Sequence, residues 1–194
     1  MGKKRINLAV FISGRGSNLQ SIIQACAADD FPAQMAVVIS NRPDALGLER
    51  AQRAGIATHL VDHQNFNSRE EFEEALLATL APYDIDLICL AGFMRILTPV
   101  FTSQWDGRFI NIHPSLLPDY KGLNTHERVL KDGKSESGCT VHYVVPDLDS
   151  GPIILQKRVS VFVDDTPDTL AARILEQEHI AYPEAIKMVA AKIG

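Results

Sequence analysis

Apolar residues recur along this chain in two alternating rhythms. Near-continuous apolar runs at residues 6–13, 35–40, 57–61 and 86–91 have the composition of strands buried on both faces of a parallel sheet. Between them, residues 19–28 and 44–54 read as helices, the second closed by Gly55. A further helix opens at Ser68 with the capping-box run S-R-E-E, continues through Phe72, Ala75, Leu76, Thr79 and Leu80 at helical spacing, and stops at Pro82. Residues 99–105 suggest a short helix with Trp105 as its apolar anchor. Residues 109–113 suggest a strand ended by Pro114, and residues 125–132 another helix. Strands follow at 137–145 and 153–163, and Thr166-Pro167-Asp168 starts a last helix that Pro183 is expected to break or kink. Strand and helix alternate through the first hundred or so residues. That predicts an α/β fold: a doubly wound, mostly parallel sheet with helices on both faces, later strands joining in mixed orientation, and ligands at the carboxyl edge.

A length of 194 residues suits one domain spanning 1–194, with no repeats or linkers. Hydrophobic content of 46% with 22% charged residues is that of a folded globular chain rather than a disordered one. The net charge of −5 argues against a nucleic-acid-binding surface, which needs a clustered basic field. Cys26, Cys89 and Cys139 lie far apart and read as reduced thiols, and the six histidines show no metal-ligand spacing. The start, M-G-K-K-R-I, fits neither a myristoylation signal nor a signal peptide, and no stretch is long enough to span a membrane. The Lys3-Lys4-Arg5 cluster is expected to be a solvated terminus, and cytoplasmic residence is the default.

Two stretches carry candidate chemistry. In F-I-N-I-H-P, Asn111 and His113 sit on alternate strand positions and so share one face, where an amide N–H and a protonated imidazole could grip an oxygen that gains negative charge. The same residues also fit a strand edge whose Asn caps a turn and whose His is a satisfied core residue. In S-G-R-G-S-N, residues 13–18, a glycine turn joins a strand to a helix start, a natural place for a phosphate. A plain tight turn capped by Ser17 or Asn18 is the alternative. Leu19 stands where the dinucleotide fingerprint wants glycine, which weakens the case for a nicotinamide cofactor.

Four motifs in order tip the balance. S-G-R-G-S-N at 13–18, A-G-F-M-R-I-L at 91–97, N-I-H-P-S-L-L-P at 111–118 and D-L-D-S-G-P-I-I at 147–154 together resemble the folate-dependent formyltransferases, over residues 6 to 187. The resemblance implies a Rossmann-like formyltransferase fold and transfer of a formyl group from 10-formyltetrahydrofolate, as cosubstrate, to the amine of glycinamide ribonucleotide, without a metal. It makes Asn111, His113 and Asp149 catalytic, with Asp149 keeping His113 charged and oriented. It assigns Gly16, Ser17, Asn18 and Glu178 to the ribonucleotide, and Arg69, Met94, Arg95, Ile96, Leu97 and Asn111 to the folate. Family members often carry His where this chain has Asn124, in a loop expected to act as a lid; His126 reads as structural or substrate-adjacent. A monomer or homodimer acting on these small molecules is implied. Ending at Gly194, the chain lacks the tail of many relatives, which is expected to trim stability rather than chemistry. Two rivals share the chemistry: a formyltetrahydrofolate hydrolase, which normally has an extra amino-terminal domain, and a tRNA formyltransferase, which needs a basic carboxyl-terminal one. A nicotinamide oxidoreductase or a nucleotide-binding module would explain only the glycine turn.

Overall fold

The computed structural model describes residues 5–193; Lys3 and Lys4 of the basic cluster and the terminal Gly194 lie outside them. Seven strands form one sheet: β1 (Ile6–Ile12), β2 (Ala33–Ser40), β3 (Ala57–Leu60), β4 (Leu87–Leu90), β5 (Phe109–His113), β6 (Glu136–Tyr143) and β7 (Ile153–Ser160). Their order is β3-β2-β1-β4-β5-β6-β7. The first five strands run parallel, whereas β6 pairs antiparallel with both β5 and β7, as the mixed-orientation expectation required. The winding reverses between the neighbours β1 and β4, and in open α/β sheets a crevice opens outside the carboxyl ends of such strands.

Side-chain alternation on these strands builds a core on each face. Leu8, Val10 and Ile12 of β1 join Leu87 and Cys89 of β4 in one cluster, with Leu19 and Ile22 of α1 (Ser17–Cys26) and Leu170, Ile174, Ala185 and Val189 of α6 (Pro167–Ile193). Ala9 and Phe11 point the other way, against Phe72, Leu76 and Leu80 of α3 (Arg69–Leu80) and Phe101 of α4 (Pro99–Ser103). Truncating one of these fully buried side chains to Ala, for instance Leu8, costs roughly 2–5 kcal/mol.

Several helix boundaries have visible causes. Ser68 Oγ accepts from Glu71 N at 3.1 Å, but Glu71 reaches back to Asn67 N at 2.9 Å rather than to Ser68, so the capping box is offset by one residue. Thr166 Oγ1 caps α6 by accepting from Thr169 N at 3.2 Å. Pro183 does not end α6, so of the expected break or kink the break does not occur. It removes only the hydrogen bond its own N–H would have made, while Tyr182, Ala185, Ile186 and Val189 stay fully buried around it and hold the helix to the sheet. Arg5 also departs from its expected solvated state: its guanidinium donates to the carbonyls of Ala33 and Cys26, tying the chain's start to β2 and α1. Trp105 lies beyond the end of α4 and packs against the second core cluster, with the Arg108 guanidinium 5.2 Å from its ring. All three thiols are free and buried, and burial pushes Cys26 and Cys139 up to about 12, which leaves them unreactive.

Candidate functional site at the carboxyl edge of the sheet

β5 ends in the chemistry. Asn111 and His113 do share a face, and the antiparallel register sets His142 of β6 opposite Asn111 and Thr140 opposite His113. The turn after β6 carries Asp149 in the left-handed region (φ 48°), which non-glycine residues seldom occupy and Asp or Asn tolerate best. There its carboxylate meets both histidines: Oδ2 lies 3.4 Å from His113 Nδ1 and Oδ1 lies 3.7 Å from His142 Nε2. His113 Nε2 is 2.9 Å from the Tyr120 carbonyl, an acceptor only, so Nε2 carries a proton. Both ring nitrogens of His113 therefore face oxygens, an arrangement an imidazolium fills with a donor on each side.

The neighbouring groups fix this geometry. Thr140 Oγ1 donates to Ser115 O and accepts from Leu117 N, which pins the turn following His113. The loop expected to be a lid lies on the pair: Gly122 N donates to Asp149 Oδ2 at 2.9 Å, and Tyr120 supplies the carbonyl that holds His113. Asn124 is the first residue before α5 (Thr125–Lys131) and takes a left-handed conformation without capping the helix by its side chain. His126 Nδ1 is buried without a partner, and burial, then the nearby His113, lower its pKa.

The glycine turn differs from the capped turn that was one reading. Gly16 is the residue before α1, in left-handed conformation (φ 69°), and no side chain caps the helix. Ser17 and Asn18 instead lie inside the first turn, whose N–H groups at residues 17–19 have no protein acceptor among the described residues. Such an open helix N-terminus favours an anion. Asn18 donates its amide to Glu178 Oε2 at 2.6 Å, leaving its own oxygen buried without a partner. Burial raises the Glu178 carboxyl above its usual range, with Asn18 pulling the other way. Ser17 opens on a cavity of about 410 Å³ that also meets Arg50 and His179. His179 is a residue the sequence reading missed: its buried Nε2 has no partner and burial lowers its pKa.

The third part is the stretch at 93–98. Its start is fixed where Met94 N donates to Ser13 Oγ at 2.7 Å and Ser13 N to Gly92 O at 3.1 Å; its end is fixed where Thr98 N and Oγ1 both donate to the buried Glu73 carboxylate at 2.5 Å. Between these anchors the N–H groups of Arg95, Ile96 and Leu97 find no protein acceptor among the described residues. Met94 and Ile96 are mostly exposed, at 66% and 58%, whereas Leu97 is buried in the core, so the first two side chains project from this stretch and the third does not. Arg69 is exposed at the start of α3 and makes no side-chain hydrogen bond or ion pair among the described residues. A cavity of about 500 Å³ lies at the opposite end of the sheet, beside Asp84, Asp86 and Trp105, and gathers no comparable chemistry.

What the edge offers is an amide–imidazole–carboxylate cluster whose imidazole and carboxylate are buried, an open helix N-terminus and an unpaired backbone edge. No group of His, Cys, Asp and Glu suited to hold a metal occurs among the described residues. No helix there is long and apolar enough to cross a membrane. Residues 6–186 match the formyl transferase family. The chain is 49% identical to the phosphoribosylglycinamide formyltransferase of Escherichia coli, over 95% of this chain and 87% of that one. It is 47% identical to the human trifunctional purine biosynthetic protein adenosine-3 over 97% of its own length, but spans only 19% of that protein. The phosphoribosylglycinamide formyltransferase structure from Coxiella burnetii superposes with a TM-score of 0.93 at 52% identity, covering 97% of this chain and 89% of that one.

Proposed function

The chain belongs to the formyl transferase family and is an enzyme that formylates the amine of glycinamide ribonucleotide in purine biosynthesis; we propose that 10-formyltetrahydrofolate is the donor and that Asn111, His113 and Asp149 carry the transfer. The observation that supports this most is the convergence of the three residues beside both an anion site and an unpaired backbone edge on one side of the sheet.

In this reading Gly16, Ser17 and Asn18 receive the ribonucleotide phosphate at the amino terminus of α1, and the Asn18–Glu178 pair faces the ribose or amine. The backbone of 94–97 pairs with the pterin edge, Met94 and Ile96 cover it, and Arg69 answers the folate's acidic tail. The residues fit such a guest, because the stretch is anchored at both ends and unpaired between them.

The substrate amine attacks the formyl carbon, forming the C–N bond while the carbonyl electron pair moves onto oxygen. Asn111 donates an N–H to that oxyanion, and His113 donates after exchanging the Tyr120 carbonyl for it. Asp149, 3.4 Å from His113 Nδ1, orients that ring and compensates positive charge on it. Collapse expels the folate nitrogen, which takes up a proton equivalent to the one the incoming amine gives up, relayed through water. No side chain is acylated, since the amine is itself the nucleophile. Alignment of two bound substrates supplies much of the remaining rate.

Following deformylation of formyl-folate by absorbance, with and without glycinamide ribonucleotide, tests the reading. Deformylation that requires the ribonucleotide supports it; equal rates in its absence mark a hydrolase instead.

A further inference from the structure

His142 was not singled out by its sequence context, yet its ring touches two members of the cluster. Its Nδ1 lies 2.8 Å from the Tyr143 carbonyl, which only accepts, so Nδ1 carries the proton. In the neutral ring Nε2 is then an acceptor, and it lies 3.2 Å from Asn111 Nδ2. The side chain is 3% exposed, so its tautomer is set by these partners rather than by water.

We propose that His142 is a positioning residue: as a neutral imidazole protonated on Nδ1, it accepts one N–H of Asn111 and thereby fixes the amide with its second N–H, not its oxygen, available to the formyl oxygen. An asparagine amide has two faces of nearly equal shape and opposite polarity, and only the partner's hydrogen bonding chooses between them. A proton on Nε2 reverses the choice. The ring would then donate, Asn111 would turn its oxygen toward it, and an acceptor would stand where the developing oxyanion needs a donor. The groups facing the ring divide. Burial, His113 and Lys121 oppose that proton, whereas Asp149 and the Tyr143 carbonyl favour it; burial dominates and lowers the His142 pKa. The site thus sets two histidines of different duty against one carboxylate: His113 presents Nδ1 to Asp149 and donates from Nε2 to Tyr120, while His142 accepts on the nitrogen that meets Asn111.

The inference rests on Asn111 serving the formyl oxygen, so its first test is independent of activity. In ¹⁵N-histidine NMR of the ligand-free protein, His142 is expected as the Nδ1–H tautomer throughout neutral pH; an Nε2–H tautomer overturns the proposal. Two variants then read the function. His142→Gln keeps an acceptor near the Nε2 position but cannot titrate, whereas His142→Leu removes the acceptor. The Leu variant is expected to lose about 10- to 100-fold in kcat with both KM values within about threefold of wild type. The Gln variant is expected to retain most of kcat and to hold it to lower pH. A Gln profile superimposable on that of wild type overturns the proposal, as does a Leu variant with wild-type kcat. If Leu fails to fold, the tautomer and the Gln profile still decide. Absence of formyl transfer by the wild type would sink the proposed function and leave the tautomer result standing.

Discussion

Replacing Asp149 by Asn removes one charge and little else. Asn is among the few side chains that accept the left-handed backbone of this position, and its oxygen can still accept from Gly122 N. What disappears is the attraction between the carboxylate and the His113 imidazolium. At 3.4 Å, and with an effective dielectric of about 20, that attraction is about 5 kcal/mol in gross terms. Much of it is recovered in the variant through relaxation and water, so a net loss of about 1.4–4 kcal/mol is expected, or tenfold to roughly a thousandfold in kcat/KM. Neither substrate site is touched directly, so both KM values should stay near wild type. The assay is kcat/KM for both proteins under the same conditions. Wild-type kcat/KM in the variant would refute the reasoning and reduce Asp149 to a turn residue.

Three further outcomes are expected. A folate analogue should slow amide exchange at Arg95, Ile96 and Leu97, and protection confined to residues near Ser17 would move the folate elsewhere. Substituting Gly16 by Ala should lower the melting temperature as well as raise the KM for the ribonucleotide, because the added carbon would lie 2.6 Å from Gly47 Cα and φ is +69°; an unchanged melting temperature would contradict the close packing of this turn. Glu178 has a folded pKa raised above its usual value of 4.5, so its contribution to stability is complete below that value and is lost as pH rises through the folded pKa. Glu178→Gln should therefore flatten the fall of stability as pH rises from 4.5 through the folded pKa, measured by thermal melts, while weakening ribonucleotide binding; an unaltered pH slope in that window would refute the assignment.

The elements were legible because buried parallel strands and amphipathic helices differ in rhythm, and the sheet order follows from short crossovers between them. Asn111 and His113 were legible because two polar residues interrupt an apolar strand on one face. His142 was not, since its pairing with Asn111 depends on the register between β5 and β6, which no local pattern encodes. The only hint was that it shares a face of β6 with Thr140, alternating with Cys139, Val141 and Tyr143. His179 was hidden for a like reason: its orphaned Nε2 gains meaning only when α6 packs beside α1. Pro183 misled because local helix chemistry argues for a break, whereas burial of the residues around it outweighs one lost hydrogen bond.

Direct transfer is the central claim, and the fate of the formyl carbon tests it most directly. In a rapid-quench single turnover with ¹³C-formyl-folate and glycinamide ribonucleotide, the label should pass into the new formamide carbon without appearing on the protein. Label accumulating as formate, or on an enzyme side chain before product forms, would contradict the account.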